Sequence, residues 1–151
     1  MSKEDFLRGL KFLGLAYNKN FDEQETSVWY SFFQNVNYDD FRNAIKRLIP
    51  IKQFLPSISE LRKECDLIKD SRVYGILEFM KKDGYFKKGQ FGDLDEVQQF
   101  RNYEKATKWL NSGEIPEWFE KDVNEYEDKL KQIKLLEVAN EWNKNYQRNG
   151  L

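Results

Sequence analysis

The sequence predicts an all-α protein, on the basis of two recurring observations. Residues that cap helix N-termini recur before segments whose apolar residues are spaced three and four apart, the spacing of one helix face. Glycine and proline are few, 8 and 3 in 151 residues, and most stand between these segments rather than inside them. The predicted order is a compact N-terminal four-helix module, two further helices and a long C-terminal helix.

The four N-terminal helices are predicted from their capping residues. Each begins with Ser, Asp or Asn and has an acidic residue three positions later, as in a capping box. The predicted caps are Ser2, Asp22, Asn37 and Ser57. Pro50 ends the third helix, because proline disfavours helical geometry in the residue before it. We expect these helices to form one domain, residues 1–69.

The remaining residues, 70–151, are predicted to hold three helices and to act as a protein-interaction arm. The three helices cover residues 71–82, 93–112 and 116–146. Gly84 and Gly113 follow the first two, where glycine supplies the left-handed conformation that closes a helix. Pro116 suits the first turn of the last helix, which should be about 45 Å long.

The last helix changes its apolar face along its length. The first stripe is Phe119, Val123, Tyr126, Leu130 and Ile133, and the second is Leu135, Ala139, Trp142 and Tyr146. A helix of this kind packs on one surface at its start and on another at its end, as an arm that docks a partner would. Alternatively, both stripes pack on the same chain, or the second forms the seam of a homo-oligomer. Because exposed aromatic residues dominate interface energies, we predict partner contacts at Trp118, Phe119, Tyr126, Leu130, Trp142 and Tyr146.

The composition argues against an enzyme. The chain has no histidine and one cysteine, which removes the commonest general base and excludes zinc sites built from Cys and His. No glycine-rich phosphate loop occurs, and neighbouring acids such as Asp39 and Asp40 are better explained as helix-capping residues. We therefore expect no catalytic residue, no metal ligand and no cofactor. Cys65 is interpreted as a small buried hydrophobic residue.

The sequence also argues against direct DNA binding and membrane insertion. The 25 basic and 26 acidic residues are balanced, and no segment is basic enough to dominate by counterion release. The one candidate nucleic-acid contact is a set of lysines interleaved with aromatic residues: Lys81, Lys82, Lys87, Lys88, Tyr85 and Phe86. No apolar run approaches the roughly 18 residues that cross a bilayer, and the N-terminus lacks an apolar signal core. We expect a cytoplasmic protein.

Residues 16–68 carry a family resemblance. Its motifs are Val28-Trp29-Tyr30 with Phe33, Ala44-Ile45-Lys46, and Phe54-Leu55-Pro56-Ser57-Ile58. This pattern resembles the N-terminal module of phage replicative helicase loader/inhibitor proteins, over roughly residues 1–69. Leu55 departs from the family, which has proline there. The bulk and spacing of the matching residues predict core positions for Trp29, Phe33, Ile45, Phe54, Pro56 and Ile58.

The resemblance implies a phage DNA-replication protein of the bacterial host cytoplasm. Such a protein binds a DnaB-type hexameric replicative helicase without ATP, holds it inactive and hands it to an origin-binding replisome organiser. The missing phosphate loop agrees with this mechanism. The family's C-terminal part is often disordered, whereas the periodic aromatic residues here predict ordered helices.

Two other functions remain open from the sequence. The chain could be a small phage or mobile-element inhibitor that blocks a host enzyme or a defence complex through its aromatic helical surface. It could also be a homo-oligomeric scaffold whose last helix forms a coiled coil.

Overall fold

The computed structural model describes residues 1–87 and 94–148, and over these residues the protein consists of helices and loops. Six helices are present in the described part: α1 Lys3–Ala16, α2 Glu23–Phe33, α3 Tyr38–Leu48, α4 Ile58–Lys82, α5 Glu96–Ser112 and α6 Glu117–Arg148. The predicted all-α class, with a long C-terminal helix, is confirmed. Among the described residues, no helix has the length and apolar character that crossing a membrane requires.

The number of helices differs from the prediction, because the predicted fourth and fifth helices are one continuous helix, α4. The predicted boundary lies at Asp70 and Ser71, which are of residue types that commonly cap helices. Both side chains are exposed, and at exposed positions Asp and Ser are tolerated within a helix at small cost. Neither glycine nor proline occurs from residue 57 to residue 74, so nothing stops the helix there.

The four predicted N-terminal caps are present as hydrogen bonds. Ser2 Oγ accepts from the backbone N–H of Asp5 at 3.1 Å, and Asp22 Oδ1 accepts from that of Glu25 at 2.7 Å. Asn37 and Ser57 accept in the same way at the starts of α3 and α4. Each bond satisfies a backbone donor that has no partner within its own helix, which fixes where the helix begins.

The start of α5 lies later than predicted. Its cap is Asp95, whose Oδ1 accepts from the backbone N–H of Gln98 at 2.8 Å. Asp93, the predicted start, lies outside the described residues. The predicted closing glycine, Gly113, has a φ of 79° and caps the end of α5.

The chain divides into two compact units, Met1–Ser71 and Arg72–Leu151, which we call unit 1 and unit 2. The helix α4 contributes to both of their cores. Leu61 and Cys65 belong to the first core, and Val73 and Met80 to the second.

Unit 1 is built around aromatic side chains. Phe6, Phe33 and Phe41 are fully buried, with ring centroids 5.1–6.3 Å apart. Stacked and tilted ring pairs at such distances stabilise a core beyond the area that they bury. Cys65 is buried among the helices as predicted, and burial raises the pKa of its thiol to about 12, which keeps it protonated.

One predicted core residue of unit 1 is wrongly placed. Phe54 lies in the connector between α3 and α4 and exposes 77 % of its surface. Leu55 packs against the core instead, and Pro56 is almost completely buried. In a short non-helical connector only some side chains can point inward, and here the two residues after Phe54 take those positions.

Gly9 allows α1 and α3 to approach closely, since a Cβ atom there would lie 2.4 Å from Cε1 of Phe41. We expect Gly9→Ala to lower the free energy of unfolding by about 1–2 kcal/mol, because overpacking against a buried ring exceeds the gain in helix propensity. Urea unfolding followed by circular dichroism measures this. Gly75→Ala is the matched control, since it also replaces a helical glycine but meets no atom within 4 Å. Equal stabilisation by both substitutions would contradict the prediction.

Unit 2 has a smaller core, drawn from the end of α4, from α5 and from the start of α6. Its buried residues are Val73, Ile76, Leu77, Met80, Phe86, Ala106, Phe119 and Val123. Partly buried aromatic residues surround them, so this core also depends on ring contacts.

Candidate protein-interaction surface

The two halves of α6 lie in different environments. In the first half, Phe119 is fully buried and Val123 is 5 % exposed. In the second half, every residue from 131 to 148 is exposed. We call residues 131–148 the helix tail.

Two tyrosine hydroxyls anchor the first half of α6 to unit 2. Tyr126 Oη donates to Asp83 Oδ2 at 2.5 Å, and Tyr85 Oη donates to Asp122 Oδ2 at 2.7 Å. Burial, followed by the hydrogen bond to Asp83, raises the pKa of Tyr126 to about 12, so its hydroxyl remains a donor at neutral pH. This half of α6 is therefore part of the body of unit 2.

The helix tail is strongly apolar for an exposed segment. Six large apolar side chains expose 40–69 % of their surface each: Ile133, Leu135, Leu136, Val138, Trp142 and Tyr146. Trp142 and Tyr146 stack on each other, with ring centroids 5.2 Å apart and planes inclined by 19°. An exposed apolar surface of this extent is typical of a protein–protein contact.

The apolar face of the tail is nearly opposite to the buried face of the first half. At 3.6 residues per turn, the stripe from Leu135 to Tyr146 lies roughly 160° around the helix from the stripe from Phe119 to Leu130. The remaining side of the tail carries charges of both signs: Lys134, Glu137, Glu141, Lys144 and Arg148. The tail is thus an amphipathic helix whose apolar face points away from the side that α6 uses to pack on unit 2.

The predicted partner contacts differ in how far their side chains are exposed. Trp142 and Tyr146 are exposed on the tail, and Trp118 is 38 % exposed beside the Trp109 ring. Tyr126 and Leu130 are partly buried against the core of unit 2.

Phe119 does not belong on this surface. Its ring is fully buried, with its centroid 5.1 Å from that of Trp109 and 6.2 Å from that of Tyr85. The predicted contacts also omitted Leu135, Leu136 and Val138. These three residues could have been predicted from the sequence, because Leu135 belongs to the second stripe and the other two flank it at helical spacing.

The lysine and aromatic set lies at the end of α4 and in the residues that follow it, and its aromatic members are at least partly buried. Phe86 is only 3 % exposed, so its ring is closed to a base, and Tyr85 is partly buried with its hydroxyl donating to Asp122. The other members reach the surface, since Lys81, Lys82 and Lys87 are exposed. Lys88 lies outside the described residues.

The described residues offer no metal cluster. Within residues 1–87 and 94–148, no group of three or more Cys, Asp or Glu side chains is arranged to hold an ion.

The N-terminal segment of the chain matches the model of a known protein family. Residues 1–62 match the family model of the N-terminal domain of gp39P, a phage helicase loader/inhibitor. The resemblance predicted from the sequence is thereby confirmed for this segment. No curated protein and no solved structure matched the chain.

The match to the gp39P N-terminal domain covers α1, α2, α3 and the first turn of α4. It therefore includes the Phe6, Phe33 and Phe41 cluster that forms the centre of unit 1. The helix tail lies outside the matched segment, so the match does not indicate what the tail does.

Proposed function

We propose that this protein is an ATP-independent loader or inhibitor of a DnaB-type hexameric replicative helicase, and that it holds the helicase through its helix tail. The family match of residues 1–62 supports the choice of partner. The observation that carries the mode of contact is the fully exposed amphipathic helix from residue 131 to residue 148.

The chemistry of the tail favours docking in an apolar groove of the partner. An amphipathic helix binds such a groove with residues spaced three and four apart, and Leu135, Ala139, Trp142 and Tyr146 have that spacing. Trp and Tyr are the residues that most often dominate binding energy, because they bury large areas and lose little side-chain entropy. The charged side of the tail would remain in solvent.

The proposed protein acts by contact and not by catalysis, in the cytoplasm of the bacterial host. A chain without histidine and without a phosphate loop can still hold a helicase inactive and release it to an origin-binding organiser. The direction of its effect, loading or inhibition, then depends on whether the organiser is present.

Substitution of the two stacked aromatic residues tests this proposal. We expect Trp142→Ala combined with Tyr146→Ala to weaken binding to a DnaB-type helicase by at least about a hundredfold, because each is a candidate hot spot worth about 2 kcal/mol or more. Co-purification and titration of fluorescently labelled full-length protein with the helicase hexamer measure the effect.

The matched control replaces two exposed aromatic residues elsewhere in unit 2. Tyr74 and Phe100 are 64 % and 60 % exposed, so Tyr74→Ala with Phe100→Ala removes similar surface outside the tail. We expect this control to bind helicase normally. Full binding by the Trp142 and Tyr146 variant, with unchanged circular dichroism, would disprove the proposed contact.

A second candidate function has one observation in its favour. Leu135, Ala139, Trp142 and Tyr146 are spaced four, three and four apart, which is also the spacing of a coiled-coil seam. The tail would then pair with a second copy in a homo-oligomeric scaffold. Sedimentation at several concentrations distinguishes the two, since a persistent monomer rules out the scaffold.

A further inference from the structure

The helix α1 is apolar on its outer side as well as on its core side. Leu7, Phe12 and Leu15 expose 43 %, 48 % and 74 % of their surface, although the same helix buries Phe6 and Leu13 completely. A surface helix of a globular protein normally has one apolar stripe and a polar opposite face. The three exposed residues, which we call the ridge, spread over roughly 140° around the outer side of α1 at 3.6 residues per turn.

A cleft lies on each side of this ridge. The first has a volume of about 310 Å³ and is lined by Leu7 and Leu15 together with Phe21. The second has a volume of about 230 Å³, and Phe12 lines it opposite Tyr38. The close approach of α1 and α3 at Gly9 forms part of the second cleft, so its shape is fixed by the core.

The charged residues that line the two clefts are all basic among the described residues. They are Lys11 and Lys19 in the first cleft and Arg8, Arg42 and Lys46 in the second. Three of them are held by acids at the cleft margins, with N to O distances of 2.8–3.6 Å. Lys11 and Lys46 have no acidic partner within 4.0 Å in the described part of the chain. The outer face of α1 thus combines three exposed apolar side chains with five basic residues at the clefts, of which three are paired with acids.

We propose that this outer face of α1 binds an acidic amphipathic helix of a second protein. The apolar face of such a helix would cover Leu7, Phe12 and Leu15, and carboxylates on both of its sides would meet the basic residues of the clefts. Nucleic acid fits less well, because Leu7 and Leu15 offer neither a stacking ring nor a hydrogen-bond donor, and of the three ridge residues only Phe12 could stack on a base.

The proposed surface belongs to unit 1 and shares no residue with the helix tail. It therefore does not depend on helicase binding, and either proposal can fail without the other. If both hold, the chain has two separate binding surfaces and can connect two proteins.

Two synthetic peptides of opposite charge test the surface. The first is an amphipathic helix with leucine on one side and glutamate on the other, and the second has lysine in place of each glutamate. Each is titrated into ¹⁵N-labelled full-length protein. We expect saturable shifts in α1 and α3 with the acidic peptide, and binding of the basic peptide at least tenfold weaker.

Substitutions that reverse charge or remove apolar surface provide a second test of the proposed surface. Lys11→Glu with Lys46→Glu should weaken the acidic peptide at least tenfold and strengthen the basic one, and Leu15→Ser should weaken the acidic peptide. The control Leu67→Ser replaces a leucine of α4 that is 50 % exposed, and it should change nothing. All four positions are exposed, and circular dichroism confirms that each variant is folded.

Several results would overturn the proposal. These are the absence of saturable binding, equal affinity for both peptides, shifts confined to residues outside α1 and α3, and equal weakening by Leu67→Ser. Tighter binding of a single-stranded DNA oligonucleotide than of the acidic peptide at the same residues would assign the surface to nucleic acid instead.

Discussion

Phe119→Ala is expected to lower the free energy of unfolding of unit 2 by about 3–5 kcal/mol, the usual cost of removing a buried phenylalanine ring. The ring is fully buried, and its neighbours Tyr85, Trp109 and Trp118 have centroids 5.1–6.2 Å away. Its removal leaves a cavity between aromatic rings that are too rigid to fill it, so relaxation should recover little of the loss.

Thermal and urea unfolding, followed by circular dichroism, measure this effect. The matched control is Trp142→Ala, which removes a larger ring from the same helix at a position that is 63 % exposed. We expect the control to change stability by no more than about 0.5 kcal/mol, as exposed substitutions usually do. Equal destabilisation by both variants would mean that the tail packs on folded protein, and it would contradict the division of α6 into a packed and an exposed half.

The helix starts could be predicted from the sequence because capping is a local interaction. Ser2, Asp22, Asn37 and Ser57 each bond to a backbone N–H two or three residues ahead, and that distance is visible in the sequence. Asp70, by contrast, is a residue of capping type that lies inside α4. A capping residue marks a helix start only when the preceding residues leave the helix, and the sequence around Asp70 contains nothing that forces them to do so.

Burial along α6 could be predicted only in part. Its two apolar stripes are visible in the sequence, but which stripe is buried depends on α4 and α5, which are distant along the chain. Trp118 and Phe119 illustrate this, since they are adjacent aromatic residues of which one is 38 % exposed and the other fully buried.

The basic clefts beside α1 were not predicted for the same reason. Arg8 and Arg42 are 34 positions apart in the sequence, and only the packing of α1 against α3 brings them to one cleft. The exposed leucines of α1 could have been noticed, because Leu7, Lys11 and Leu15 follow one another at helical spacing outside the core stripe.

Amide hydrogen exchange in the helix tail is expected to slow by at least about a hundredfold when the helicase binds, since a docked helix can open only with its site. In the free protein the tail lacks buried side chains to stabilise it, and most helical stability in proteins comes from tertiary packing. Hydrogen exchange followed by mass spectrometry, with and without saturating helicase hexamer, measures the change over residues 131–148.

The first half of α6 is the internal control for this measurement. Its backbone is anchored by Phe119 and Val123, so it should exchange slowly in both states. Strong protection of the tail in the free protein that falls on dilution would indicate pairing with a second copy, and protection independent of concentration would indicate packing on its own chain. A tail that exchanges quickly even in the helicase complex would place the contact elsewhere. Slow exchange that appears only with helicase would show that the tail becomes ordered on binding. The contacts of Trp142 and Tyr146 would then have to contribute more free energy than this ordering costs.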